Sequence, residues 1–211
     1  MKTDKTRSFN MDCIEFMQTL PYKFYDLAIV DPPYGIGIDG QKKSTSKHGG
    51  RREKVFKGWD NKTPDKNYWN ELFRVSKNQI VWGANYFTEY LPPSMGWVFW
   101  DKGQRIYNSD GELAFTSFQK ALRVYELNRV FITQHGDTEH PTQKPVKLYE
   151  WLLMNYAKEG DKILDTHGGS QSSRIACFNL GFELDIIELD KDYFEAGNKR
   201  FEQHKKQLTL F

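Results

Sequence analysis

A chain of 211 residues has room for one domain with a full apolar core. Hydrophobic content of 38% and aromatic content of 15% exclude an intrinsically disordered chain, while a mean hydropathy of -0.72, with no run near ~20 apolar residues and no apolar signal segment in MKTDKTRSFNMD, predicts a cytoplasmic protein with no membrane association. Two cysteines, Cys13 and Cys177, lack CxxC spacing and are expected as buried thiols rather than disulfide or zinc ligands, and a net charge of +2 excludes a global electrostatic field for a polyanion, so any such footprint is local.

The first predicted element is the strand within DLAIVDPPYG, an apolar run from Leu27 to Val30 that ends at Asp31 because Pro32 and Pro33 cannot donate to a ladder. Residues 36 to 60 hold seven basic side chains against three acidic ones, which reads either as a solvated linker or as a polyanion-binding loop. Apolar residues recur at helical spacing from Asn67 to Lys77, and QIVW and GWVFW follow as buried strands that place Trp82, Trp97 and Trp100 in the core. Between Asp101 and Gly136 the pattern changes to ELAFTSF, ALRVY and NRVFI, predicted as short antiparallel strands of an insertion. A helix from Val146 to about Ala157 precedes strand KILD, loop THGGSQSS, helix RIACFNL closed by Gly181, strand ELDIIEL and a last helix from about Asp190 to His204. This order predicts an α/β fold with a mainly parallel sheet.

Two constellations carry chemistry. A glycine loop between strand and helix, followed by a carboxylate at the end of the next strand, is how an α/β sheet holds a nucleoside cofactor; here the loop is Asp165 to Ser173 and the carboxylate is Glu188, 23 residues after Asp165. DTHGGSQSS lacks GxGxxG and starts with a carboxylate, which repels a pyrophosphate and suits a cationic or zwitterionic ligand such as S-adenosylmethionine. In Asp31-Pro32-Pro33-Tyr34, a carboxylate, a fixed carbonyl and an aromatic ring lie within one loop at a strand end. These are the acceptors and the stacking surface that an exocyclic amine on a planar base requires, although Asp-Pro alone also marks ordinary turns.

The segments FNMDCIEFM, DLAIVDPPY, VWGANYF, WVFWDK, HPTQKPVKL, DTHGGS and FELDIIELDKDYFEAGNKRF, in this order, resemble the permuted, β-type amino-methyltransferases of DNA, particularly the small adenine-specific enzymes of phages and prophages. The resemblance implies a Rossmann-like, S-adenosylmethionine-dependent methyltransferase fold with a small inserted target-recognition region. It divides a single domain 1–211 into a catalytic half 1–100, an insertion 102–133, a cofactor half 138–204 and a tail 205–211. It makes Asp31, Pro32, Pro33 and Tyr34 catalytic, and assigns Asp12, Cys13, His140, Thr142, Lys144, Asp165, Gly169, Ser170 and Glu188 to the cofactor. The loop departs from the family's commoner DPFxGSGTT at Thr166, His167, Gln171 and Ser172.

The implied reaction is methyl transfer to N6 of an extruded adenine in DNA. Cytosine N4, an RNA substrate and a non-catalytic nucleic-acid binder with a relict cofactor pocket are the alternatives. Lys42, Lys43, Arg51 and Arg52 are candidate phosphate ligands, with Gly49 and Gly50 allowing the loop to move, and Arg105, Asn108, Lys120, Arg123 and Arg129 are candidate base readers. No metal is expected, since His135 and His140 lack a third ligand at zinc spacing. Gln207, Leu208, Leu210 and Phe211 in the terminal QLTLF resemble the peptide by which bacterial replication and repair proteins hold the sliding clamp, and read otherwise as a last turn docked on the domain. A homodimer stays open, and the implied location is the cytoplasm of a bacterial or phage-infected cell.

Overall fold

In a computed structural model, residues 3–40, 57–103, 109–128 and 143–208 are described. The elements run β1 (Thr6–Phe9), α1 (Cys13–Gln18), β2 (Tyr25–Val30), α2 (Lys66–Val75), β3 (Ser76–Trp82), a 3-10 turn (Ala84–Tyr86), β4 (Trp97–Asp101), β5 (Gly111–Thr116), β6 (Arg123–Glu126), α3 (Val146–Tyr156), β7 (Lys162–Asp165), α4 (Ser172–Leu180), β8 (Glu183–Ile187) and α5 (Lys191–Leu208). Asp12 caps α1 and Asp65 caps α2, each accepting two backbone N–H bonds, and Gly181 at φ 80° closes α4.

The described strands form one sheet of order β1-β8-β7-β2-β3-β5-β4-β6. Pairings from β1 through β3 are parallel, and only β5 runs antiparallel to its neighbours β3 and β4. Alternation splits each central strand between two cores: Leu27 and Ile29 of β2 face α3 and α4, while Ala28 and Val30 face α1 and α2. One layer therefore packs Leu148, Leu152, Ala176 and Cys177 on the sheet, and the other packs Phe16, Met17, Tyr68, Trp69 and Leu72. The fold is Rossmann-like α/β with helices on both faces.

Four sequence expectations need correction. ALRVY does not continue the antiparallel run, because β6 pairs parallel with β4, Val98 opposite Arg123. Trp82 and Trp100 are core residues, whereas Trp97 is only partly buried. Cys177 is buried, but Cys13, at the first turn of α1, is half-buried. Helix α5 continues past His204 to Leu208, so Gln207 and Leu208 belong to its last turn; Leu210 and Phe211 lie outside the described residues. Among the described residues, no helix is long and apolar enough to cross a membrane.

Candidate active site

Parallel strands deliver their following residues to one edge of the sheet. Asp31 follows β2, Thr166 follows β7, Glu188 follows β8, and the β1–α1 turn brings Met11 to Ile14 to the same edge. They surround a cavity of about 830 Å³ whose other walls include Lys57, Trp59, residues 62–65, Tyr68, Lys144, Tyr149, residues 189–191 and Tyr193.

At the Asp31 end, Tyr34 Oη donates to Asp31 Oδ1 at 2.6 Å and Lys144 Nζ donates to Asp31 Oδ2 at 2.5 Å. Lys144 Nζ also lies 3.2 Å from Tyr34 Oη and 3.1 Å from Glu112 Oε2, and Lys102 Nζ lies 2.8 Å from Glu112 Oε1. Burial raises the Asp31 carboxyl above its ordinary range against the pull of Lys144. The loop after Asp31 is shaped by Asp60, whose carboxylate accepts the amides of Tyr34 at 2.6 Å, Gly35 at 2.9 Å and Ile38 at 2.8 Å. The Tyr34 ring stacks on Tyr86 at 5.1 Å.

At the other end, Glu188 Oε2 accepts Gly169 N at 2.7 Å and Oε1 accepts Asp190 N at 2.8 Å, which fixes the carboxylate at the cavity wall. Burial raises its pKa against these amide bonds. The glycine loop is tight: Gly169 has φ 46°, and a Cβ on Gly168 would sit 2.9 Å from Ile186. Asp12 and Cys13 line the cavity, and burial pushes the Cys13 thiol up to about 12. Asp165 is not among the lining residues. It lies beneath the loop, accepting Ser173 Oγ at 2.5 Å and His167 N at 3.1 Å, with burial raising its pKa to about 7. Thr166 Oγ1 bridges Tyr68 Oη at 2.8 Å and His167 Nδ1 at 2.9 Å, and burial lowers the His167 pKa to about 4.

The structure thus brings together Asp12, Cys13, Asp31, Pro33, Lys144, Gly169, Ser170 and Glu188 around one cavity. Lys144, assigned to the cofactor by the resemblance, has its ammonium committed to Asp31 and Glu112. Lys120 Nζ donates to Asn155 O at 2.6 Å and Arg123 opens β6; neither lines the cavity. Lys42, Lys43, Arg51, Arg52, Arg105, His140 and Thr142 lie outside the described residues. Sequence reasoning missed Glu112, Lys102, Tyr68, Lys57, Trp59 and Tyr193. Glu112 sat visibly in the alternating ELAFTSF strand, but its partners are distant in the chain.

Among the described residues, no cluster of His, Cys, Asp and Glu could hold a metal. The lining chemistry fits a cationic nucleoside: the carboxylates of Asp12 and Glu188 stand beside the apolar flanks of Met11, Ile14 and Leu189.

The chain is 24% identical to the type II methyltransferase M.HpaI of Haemophilus parainfluenzae, over 90% of this chain and 72% of that protein. It is also 24% identical to M2.DpnII of Streptococcus pneumoniae, over 90% and 87% respectively. Among solved structures, that of the M1.HpyAVI–SAM complex superposes with a TM-score of 0.60 at 20% identity, covering 92% of this chain and 99% of that one. The cytosine-N4-specific PvuII DNA methyltransferase superposes at 0.63 and 11% identity, covering 97% and 92%. The family model N6_N4_Mtase, DNA methylase, matches residues 89–199. That span is more than half of the chain and contains both the Lys144 segment and the glycine loop, and the chain belongs to this family of DNA methylases.

Proposed function

We propose that the protein methylates the exocyclic N6 of adenine in DNA with S-adenosylmethionine as donor, and that it is of the permuted, β-type class. The observation that carries this reading is the opening of Asp31 and Glu188 onto one cavity, a base-amine acceptor at one end and a ribose acceptor at the other. Chain order supports the permuted class, since the Asp31 loop precedes the glycine loop. An aspartate at position 31 favours adenine, because the cytosine-N4 enzymes more often carry serine there.

When bound, the sulfonium supplies an electrophilic methyl group whose departing electron pair stays on sulfur. Asp31, with the Pro32 carbonyl, holds the two amine protons so that the nitrogen lone pair faces that methyl group. Asp31 then takes the proton the methylated amine sheds, or passes it to solvent. Glu188, fixed by two amides, receives the ribose hydroxyls. Reaching the amine requires extruding the base, at roughly a few kcal/mol of unstacking. The test is nucleoside mass spectrometry on duplex DNA incubated with protein and donor. N6-methyladenine is expected; N4-methylcytosine would reassign the base, and S-adenosylhomocysteine binding without any methylated nucleoside would leave a binding protein.

A further inference from the structure

Four charged side chains from four places in the fold meet behind the proposed target amine. Asp31 follows β2, Lys144 lies before α3, Glu112 lies in β5 opposite Trp100 of β4, and Lys102 follows β4. They alternate in sign along contacts of 2.5, 3.1 and 2.8 Å, so the cluster is neutral overall. The central member, Lys144, has a side chain only 3% exposed and lies over the rings of Trp82 at 5.3 Å and Tyr34 at 5.7 Å. A buried ammonium held by Asp31 alone would draw the carboxylate's electron density to itself and leave a weak acceptor for an incoming amine.

We propose that Glu112 is a positioning residue for methyl transfer: it shares Lys144 with Asp31, anchored from behind by Lys102, and so keeps Asp31 both in place and strong as an acceptor. This rests on the methyltransferase reading above. The ionisation directions agree. For Glu112, burial is outweighed by Lys144 and Lys102, which hold its carboxyl down to about 2, so it is an anion throughout the working range. Its negative charge in turn pushes Asp31 up. The other groups facing Asp31 are Tyr34, Asp165, Tyr68 and Tyr149, the three phenols all raised by burial and therefore neutral.

The test compares methyl transfer against pH for wild type, Glu112→Gln, Glu112→Asp and Lys102→Met, with S-adenosylhomocysteine titrated into each. Glu112→Gln is expected to lower kcat about tenfold or more and to move the acid limb of kcat/KM to lower pH, with inhibitor affinity within about twofold of wild type. Glu112→Asp should lose part of kcat with the limb in place. Lys102→Met should move the limb to higher pH, which tests the assignment even if Glu112→Gln does not fold. An acid limb unmoved in both Glu112→Gln and Lys102→Met would make the cluster purely structural and overturn the proposal. A wild-type protein that methylates no DNA would instead sink the function itself, a result separable from a Glu112→Gln variant that behaves as wild type.

Discussion

Asp31 and the pair Asp165 and His167 show how burial sets chemistry one residue at a time. Replacing Asp31 with Ala is expected to cut methyl transfer by at least about a hundredfold while S-adenosylhomocysteine affinity changes little, because the proposed amine acceptor is lost and Glu188 is untouched. Parallel loss of affinity would place Asp31 in the cofactor site instead. Asp165 and His167 titrate in opposite directions. Burial raises Asp165 from 3.8 to about 7, so its contribution to stability is complete below about pH 4 and is lost as pH rises through 7. Burial lowers His167 from 6.5 to about 4, so its contribution is present above about pH 6.5 and is lost as pH falls through 4. Across the shared window the folded chain holds the proton on Asp165 and the unfolded chain holds it on the histidine, and the two slopes cancel. Asp165→Asn should therefore expose a loss of up to about 1.4 kcal/mol per pH unit on acidification, and His167→Asn a gain of the same size. Denaturant titrations between pH 4 and 7 read this directly, and parallel curves for all three proteins would refute it.

The elements around the loop that follows Asp31 are joined by close approach as much as by hydrogen bonds. Gly83, directly after β3, has φ 66°, and a Cβ there would lie 2.1 Å from the Tyr34 ring. Gly83→Ala should lower stability by about 1–3 kcal/mol and reduce methyl transfer by displacing Tyr34, with cofactor affinity retained. Unchanged activity would mean that the Tyr34 position is not critical. Most elements were legible because local signals end them: prolines stop β2 after Val30, and Gly181 closes α4. The direction of β6 was not legible, because its four residues carry no mark of the partner, and the parallel pairing with β4 arises from how the intervening chain returns. The Asp31, glycine-loop and Glu188 part of the site was legible because strand ends in a parallel sheet converge on one edge. The charge chain was not: Lys144 and Asp31 stand 113 residues apart, and nothing in either neighbourhood names the other.

At the scale of the whole molecule, the Asp31 and Glu188 ends of the cavity are tied by a short segment across it. Lys57 Nζ lies 2.7 Å from Asp190, 2.6 Å from Asp192 and 4.6 Å from the Tyr193 ring, all around the N-terminal turn of α5. Trp59 meets the same Tyr193 ring edge-on at 6.5 Å. One residue further on, Asp60 holds the amides of the loop that follows Asp31. Lys57 and Trp59 thus line the cavity between Glu188 and Asp31, in a segment fastened at Asp190 and joined through Asp60 to the loop after Asp31. Lys57 and Asp190 are each about a quarter exposed, at 23% and 27%, so solvent screens their attraction and the fastening contributes on the order of 1 kcal/mol rather than the several expected of a buried pair. Lys57→Met should therefore weaken S-adenosylhomocysteine binding about three- to tenfold, through faster dissociation, with the difference from wild type shrinking at high salt. Lys77→Met, which breaks the pair with Asp26 at 2.6 Å, neither partner lining the cavity, is the matched control and should leave dissociation unchanged. Stopped-flow displacement of a fluorescent cofactor analogue measures both. Equal dissociation rates in Lys57→Met and wild type would show that the segment lines the cavity without closing it.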